Sequence, residues 1–163
     1  MDRAAIEELF AFTDFCWREH GATIRALGDE TLCKPAPGSG WPALRDAFAH
    51  VNSAYERWLL DPAGTTTATF DIESVRSWDD LESYRTRVRA LFRERLDPLT
   101  DSGLATVRPM NIDGEMLLYR PADILTHVLL HERGHDGDID TLLYQLGVEP
   151  PVVEYRFSLP DPS

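Results

Sequence analysis

The segment His127-Val128-Leu129-Leu130-His131-Glu132-Arg133-Gly134-His135 constrains this chain more than any other. Three of the chain's 5 histidines recur there, each four residues from the next. On an α-helix that spacing advances by about 40° per step, so the three imidazoles share one face. Ile124, Val128, Ile139, Leu142 and Leu146 fall on or beside that face, whereas Glu132, Arg133, Asp136 and Asp140 fall outside it. The pattern predicts a long helix whose histidine-bearing side turns inward.

Three histidines on one helix cannot share a single ion. His127 and His135 stand about 12 Å apart at the helical rise, too far for two bonds of about 2 Å to one metal. An i, i+4 pair can bind one, either His127 with His131 or His131 with His135. The third ligand must come from elsewhere, and His50 is the candidate. A lone inward histidine is ordinarily a hydrogen-bonded core residue, and a helical pair alone is a weak motif. The pair together with a separate inward His50 points to a metal.

A length of 163 residues suits one domain, residues 1–163, with room for a real core. Hydrophobic residues at 43% and aromatic residues at 10% fit a soluble globular protein. No apolar run reaches the roughly eighteen residues of a membrane span. The opening Met1-Asp2-Arg3-Ala4-Ala5-Ile6-Glu7-Glu8 lacks the basic and apolar regions of a secretory signal. Cys16 and Cys33 have no metal or redox spacing and read as reduced thiols of a cytoplasmic protein. The formal net charge of -12 argues against a nucleic-acid partner, which needs a basic surface.

Ile6, Leu9, Phe10, Thr13, Trp17, Ile24 and Leu27 predict a first helix from about Arg3 to about Leu27. His20, near this stripe, is expected to be exposed or capping. A Pro- and Gly-broken loop, Lys34 to Gly40, precedes a second helix from about Pro42 to about Leu60. Around His50 that helix carries Ala43, Asp46, Ala47, Ser53, Ala54 and Arg57; the small residues permit close approach and leave room above a metal. Asp46 and Arg57 are candidates to orient a charged substrate, or form an ordinary solvated pair.

Asp61 to Val75 reads as a loop. Ser77-Trp78-Asp79-Asp80 has the character of a capped start for a third helix, from about Trp78 to about Leu96. Its arginines, Arg85, Arg87, Arg89, Arg93 and Arg95, alternate with acids and are expected mostly on a solvated face. An Asp113-Gly114 turn predicts a small hairpin or an irregular crossover before Pro121 opens the histidine helix. That helix ends at Gly147, and the tail from Val152 is expected to be extended, with Val153, Tyr155 and Phe157 across the bundle. Four long helices and one long crossover amount to an all-α four-helix bundle.

Two stretches carry a resemblance to the DinB/YfiT-like superfamily: Pro37-Gly38-Ser39-Gly40-Trp41 with Leu44-Arg45-Asp46-Ala47-Phe48-Ala49-His50-Val51, and His127 to Asp138 leading to Leu146-Gly147-Val148-Glu149-Pro150-Pro151. The resemblance covers nearly the whole chain. It implies an up-down-down-up bundle and a divalent metal held by His50, His131 and His135. His127 occupies a position where the family often has a histidine that is not a ligand. Asp136 and Asp138 depart from the family, which often has Arg and Gln there. Asp138, three residues after His135, is expected first to orient a ligand imidazole, and otherwise to complete the coordination or bind substrate.

Three imidazoles leave a coordination position open, as in catalytic sites. Imidazole ligation favours Zn, Ni and Fe, with Mn and Co also compatible. Superfamily members include transferases and isomerases that use low-molecular-weight thiols. The expected function is therefore a metal-dependent enzyme on a small molecule, a thiol S-transferase or a hydrolase, with Asp138 and Arg57 as candidate catalytic residues and Glu132 as the weaker base. A metal-binding stress or sensor protein is the alternative, and a bundle with metal-free buried histidines the third reading. The resemblance also implies a homodimer, as do, more weakly, the aromatics Trp17, Trp58, Trp78, Tyr55 and Tyr84 if some remain exposed.

Overall fold

The computed structural model describes residues 1–36, 40–59, 71–112 and 115–159. Its helices are α1 Arg3–Leu27, α2 Leu44–Leu59, α3 Trp78–Leu96, a short α4 Asp101–Ala105, and α5 Pro121–Gln145. The four long helices form the expected all-α bundle. Local chemistry sets their ends. The Asp2 carboxylate accepts from the Ala5 N–H at the start of α1. Ser77 and Asp80 make both bonds of a capping box on α3. Pro121 sits in the first turn of α5, and Gly147 takes the positive φ of 78° just beyond its end. The second helix begins at Leu44, two residues later than the sequence suggests.

Side-chain contacts fix the helix directions. Arg3 donates to the Leu96 and Leu99 carbonyls and Arg25 pairs with Asp79, so α1 and α3 are antiparallel. Thr126 reaches Met1 and His20 reaches Asp140, so α1 and α5 are parallel. Trp41 bonds Asp138 and Trp58 packs on His127, so α2 runs against α5. Phe48 meets Trp78 and Arg95 reaches the Leu59 carbonyl, so α2 and α3 are parallel. The connectivity is up-down-down-up. Parallel α2 and α3 require the chain to travel back along the bundle, about 24 Å for the 16 residues of α2, which is why the crossover at 60–77 is long. Much of the loop expected at Asp61 to Val75 lies outside the described residues.

Between α3 and α5 the chain forms a hairpin, β1 Arg108–Ile112 antiparallel to β2 Glu115–Tyr119, with Arg108 opposite Tyr119 and Ile112 opposite Glu115. The expected Asp113-Gly114 turn lies outside the described residues. The tail departs from expectation: Tyr155–Phe157 is a 3-10 turn, in which Tyr155 meets the edge of Phe12 at 5.2 Å while Phe157 stays exposed.

Two apolar clusters fill the bundle. Ile6, Phe10, Phe92 and Leu125 belong to the one nearer the hairpin, and Trp17, Phe48, Trp78 and Leu142 to the other. Gly21 matters in the second, because a Cβ there would lie 2.7 Å from the Trp78 ring. Between the clusters lies a buried polar layer that corrects two expectations. Arg85 and Arg89 of α3 are 3% and 8% exposed, not on a solvated face, and Glu132 of α5 is 4% exposed. Glu132 accepts from the Arg85 guanidinium at 2.8 Å and from the Tyr55 hydroxyl, while Arg89 donates to Thr13 and to the Phe10 carbonyl. The inward stripe of α5 is Leu125, Leu129, Glu132, Asp136, Ile139 and Leu143, so its two acids lie within the core. Each has a cation: Arg85 faces Glu132, and Arg133 pairs with Asp136 one turn along.

Of the aromatics that suggested self-association, Trp17, Trp78, Tyr55 and Tyr84 are buried within one bundle. They fill the core and offer no surface to a partner. Among the described residues, no helix is long and apolar enough to cross a membrane.

Candidate metal centre

His50 rises from the middle of α2, and His131 and His135 from successive turns of the facing α5. Their ring centroids lie 5.1 Å (His50–His131), 4.8 Å (His50–His135) and 4.5 Å (His131–His135) apart. One ring nitrogen from each falls within 4.8 Å of the other two, so the group could hold a metal ion. The tightest approach, His131 Nε2 to His135 Nε2, is 3.3 Å. Two ligands about 2.05 Å from one ion across a tetrahedral angle would stand about 3.3 Å apart, so this pair fits without rearrangement. Antiparallel packing brings His50 opposite the pair.

His127 is outside the group. Its ring lies 6.1 Å from His131 and packs at 4.5 Å on Trp58, exposed to solvent. Of the two pairs that spacing leaves open, the structure therefore brings His131 and His135 to His50. The three clustered histidines are half-buried, not fully inward. They occupy the flank beside the inward stripe of α5, where the seam with α2 opens to solvent.

Burial holds the His131 ring down to about pKa 4, aided by the neighbouring His135, His50 and His127. His50 is also lowered, by burial first and then by the charges of His135 and Arg57. Both are neutral near pH 7 and present lone pairs without first losing a proton. His131 Nδ1 is buried with no hydrogen-bond partner among the described residues.

The structure ties Asp138 to the triad through His135. Its Oδ2 accepts from His135 Nδ1–H at 2.8 Å and from the Trp41 indole N–H at 3.1 Å. A carboxylate only accepts, so His135 carries its proton on Nδ1 and turns the Nε2 lone pair towards His131. The His135 bond, then the Trp41 bond, keep the Asp138 carboxyl below the ordinary range. Trp41 is the residue that sequence reasoning missed. Its ring centroid lies 4.8 Å from His50 and 5.6 Å from His135, walling one side of the group. It precedes α2, and helical periodicity relates only residues within a helix; the signals were a large aromatic on the approach to His50 and its place in the stretch that carries the family resemblance.

Other candidates fall elsewhere. Arg57 is exposed, and its charge acts on His50. Asp46 lies 3.8 Å from Arg45, which also binds Glu73, so it turns to its own neighbour. Ala47 is fully buried in the apolar core and Ala54 is 6% exposed; both fill space in the bundle instead of opening room above the histidines. Glu132, the weaker base candidate, points into the polar layer and is occupied there. His20 is neither exposed nor capping: it is 1% exposed and joins the Cys16 carbonyl at 2.9 Å to Asp140 at 3.1 Å, tying α1 to α5.

The family model of the DinB family matches residues 8–160 of the chain. No match was found among curated proteins.

Proposed function

The chain belongs to the DinB family, and on that premise we propose that it is a metal-dependent enzyme acting on a small molecule, a thiol S-transferase in preference to a hydrolase. The observation that carries this reading is the 3.3 Å approach of two imidazole nitrogens with His50 alongside. His50, His131 and His135 would hold the ion, and Zn, Ni and Fe suit three imidazoles. Bound there with a position open, a divalent ion lowers the pKa of a coordinated water or thiol and polarises an electrophile. Asp138 fixes the His135 tautomer, Trp41 excludes water from one side, and Arg57 offers positive charge near His50.

The state of the two possible bases favours thiol chemistry. Asp138 is already an acceptor to two donors, and Glu132 is turned into the core. A thiol that loses its proton to solvent forms its S–C bond as the electrophile's leaving group departs, with no protein base required. The chain's own thiols are remote from this role: Cys16 is buried, and Cys33 faces Val75 and Arg45. The thiol would be a low-molecular-weight one. Hydrolysis, by contrast, ordinarily employs a base to steer water.

Metal analysis of untagged protein purified without nickel resin is the first test, with about one divalent ion per chain expected. Metal-loaded protein should consume an electrophile only when a small thiol is supplied. Turnover of esters, lactones or amides without thiol would instead establish the hydrolase. If neither occurs while metal changes stability or partners, the sensor or stress-binding reading replaces both. No metal after reconstitution would leave a bundle with metal-free histidines. We propose also that the chain pairs as a homodimer in the cytoplasm; light scattering with only an 18.5 kDa species would refute the pairing.

A further inference from the structure

A second concavity lies at the hairpin end of the bundle, where α2, α3 and α5 meet β1. It is a cleft of about 270 Å³, walled by Trp58, Leu59, Leu99, Met110, Ile124 and Leu125. Glu94, Arg95 and Arg108 stand among its lining residues. Arg95 is engaged, its Nε–H donating to the Leu59 carbonyl at 2.8 Å. Arg108 is exposed on β1 and forms no ion pair among the described residues, although the chain's net charge is -12. A guanidinium without an ion pair among the described residues, beside an apolar cleft whose one lining acid is Glu94, fits an anionic group on an apolar body.

Size narrows the class further. A dry apolar cavity of about 150 Å³ takes benzene, so by proportion 270 Å³ holds about eleven non-hydrogen atoms. That is smaller than the usual drug-sized site, whose volume starts at about 300 Å³. We propose that the cleft binds a small amphipathic monocarboxylate, with an apolar body of medium length between Trp58, Met110 and Ile124 and its carboxylate at Arg108. This site is separate from the histidine group. Trp58 is the partition: one wall of the cleft, it packs on the exposed His127, which lies outside the triad. The inference therefore goes beyond the proposed enzyme activity and stands without it.

Octanoate, with ten non-hydrogen atoms, is the probe, and octan-1-ol its uncharged counterpart. Calorimetric titration of the full chain with octanoate should saturate at about one site, as a single cleft requires. Arg108→Glu, an exposed change, should weaken octanoate about fivefold and leave octan-1-ol unchanged. Met110→Trp, filling the cleft from β1, should abolish both, with circular dichroism checking the helices. His131→Ala should alter neither. The proposal fails if octanoate does not saturate, or if Arg108→Glu has no effect on it. Loss of binding with His131→Ala but not with Met110→Trp would place the carboxylate at the histidines and also overturn it.

Discussion

Two polar assemblies stand side by side on α5, one led by His131 and the other by the next residue, Glu132. They differ in what is left over. In the layer between the four long helices, the Glu132 carboxylate is taken by Arg85 and Tyr55, and Arg89 by Thr13 and Phe10. Burial and the adjacent Glu132 charge raise the Tyr55 pKa, so the phenol stays protonated and donates. At the α2 seam the rings are half-exposed, His50 and His131 are neutral, and two nitrogens face each other at 3.3 Å. The layer is closed and its charges are paired within the fold, its leftover groups being the Arg85 and Arg89 Nε donors, which have no hydrogen-bond partner among the described residues; the seam keeps lone pairs to offer. Unspent acceptor valence, more than burial, separates a candidate site from scaffold.

The largest expected effect tests the scaffold side. Glu132→Ala would take the buried carboxylate from Arg85, leaving it only the part-exposed Asp14 at 3.3 Å, and should cost about 3–5 kcal/mol of stability in urea unfolding. A cost below about 1 kcal/mol, that of a surface pair, would mean the layer is not the closed network described. His131→Ala should do the reverse: near-native unfolding of metal-free protein, but metal affinity lower by more than the roughly hundredfold limit for an outer-shell change. Full metal retention there would remove the assignment.

Smaller effects sharpen the seam. Asp138→Asn should lower metal affinity by about 10–100-fold, and Trp41→Phe, which keeps a ring but loses the N–H, towards the lower end of that range. Equal affinities for both variants and wild type would reduce Asp138 and Trp41 to bystanders. The pH dependence follows from the lowered imidazoles. His131 is held at about 4 in the folded chain against an ordinary 6.5, so between those values the unfolded chain binds more protons. Metal-free protein should thus lose stability as pH falls through that window, and His131→Ala should flatten the slope in thermal melts taken at several pH values. Last, His127→Ala should leave metal affinity within about twofold, since removing an exposed ring outside the group takes no ligand away.

The sequence by itself determined the helices and much of the triad. Ser77 and Asp80, Pro121 and Gly147 act through bonds and dihedrals a few residues long, so α3 and the limits of α5 were legible. The four-residue spacing of His131 and His135 guarantees their proximity on any helix. Tertiary structure alone decided which face of α5 is inward. Periodicity sorts residues by their own polarity, and so it set Glu132 and Asp136 outside; in the fold, Arg85 on another helix and Arg133 one turn away neutralise them within the core. The same holds for His20 against Asp140 and for Trp41 over His135, pairs separated by 120 residues in one case and, from position 41 to position 135, by 94 in the other. A side chain's periodic position is local information, whereas the group that satisfies it is supplied by whichever element packs opposite.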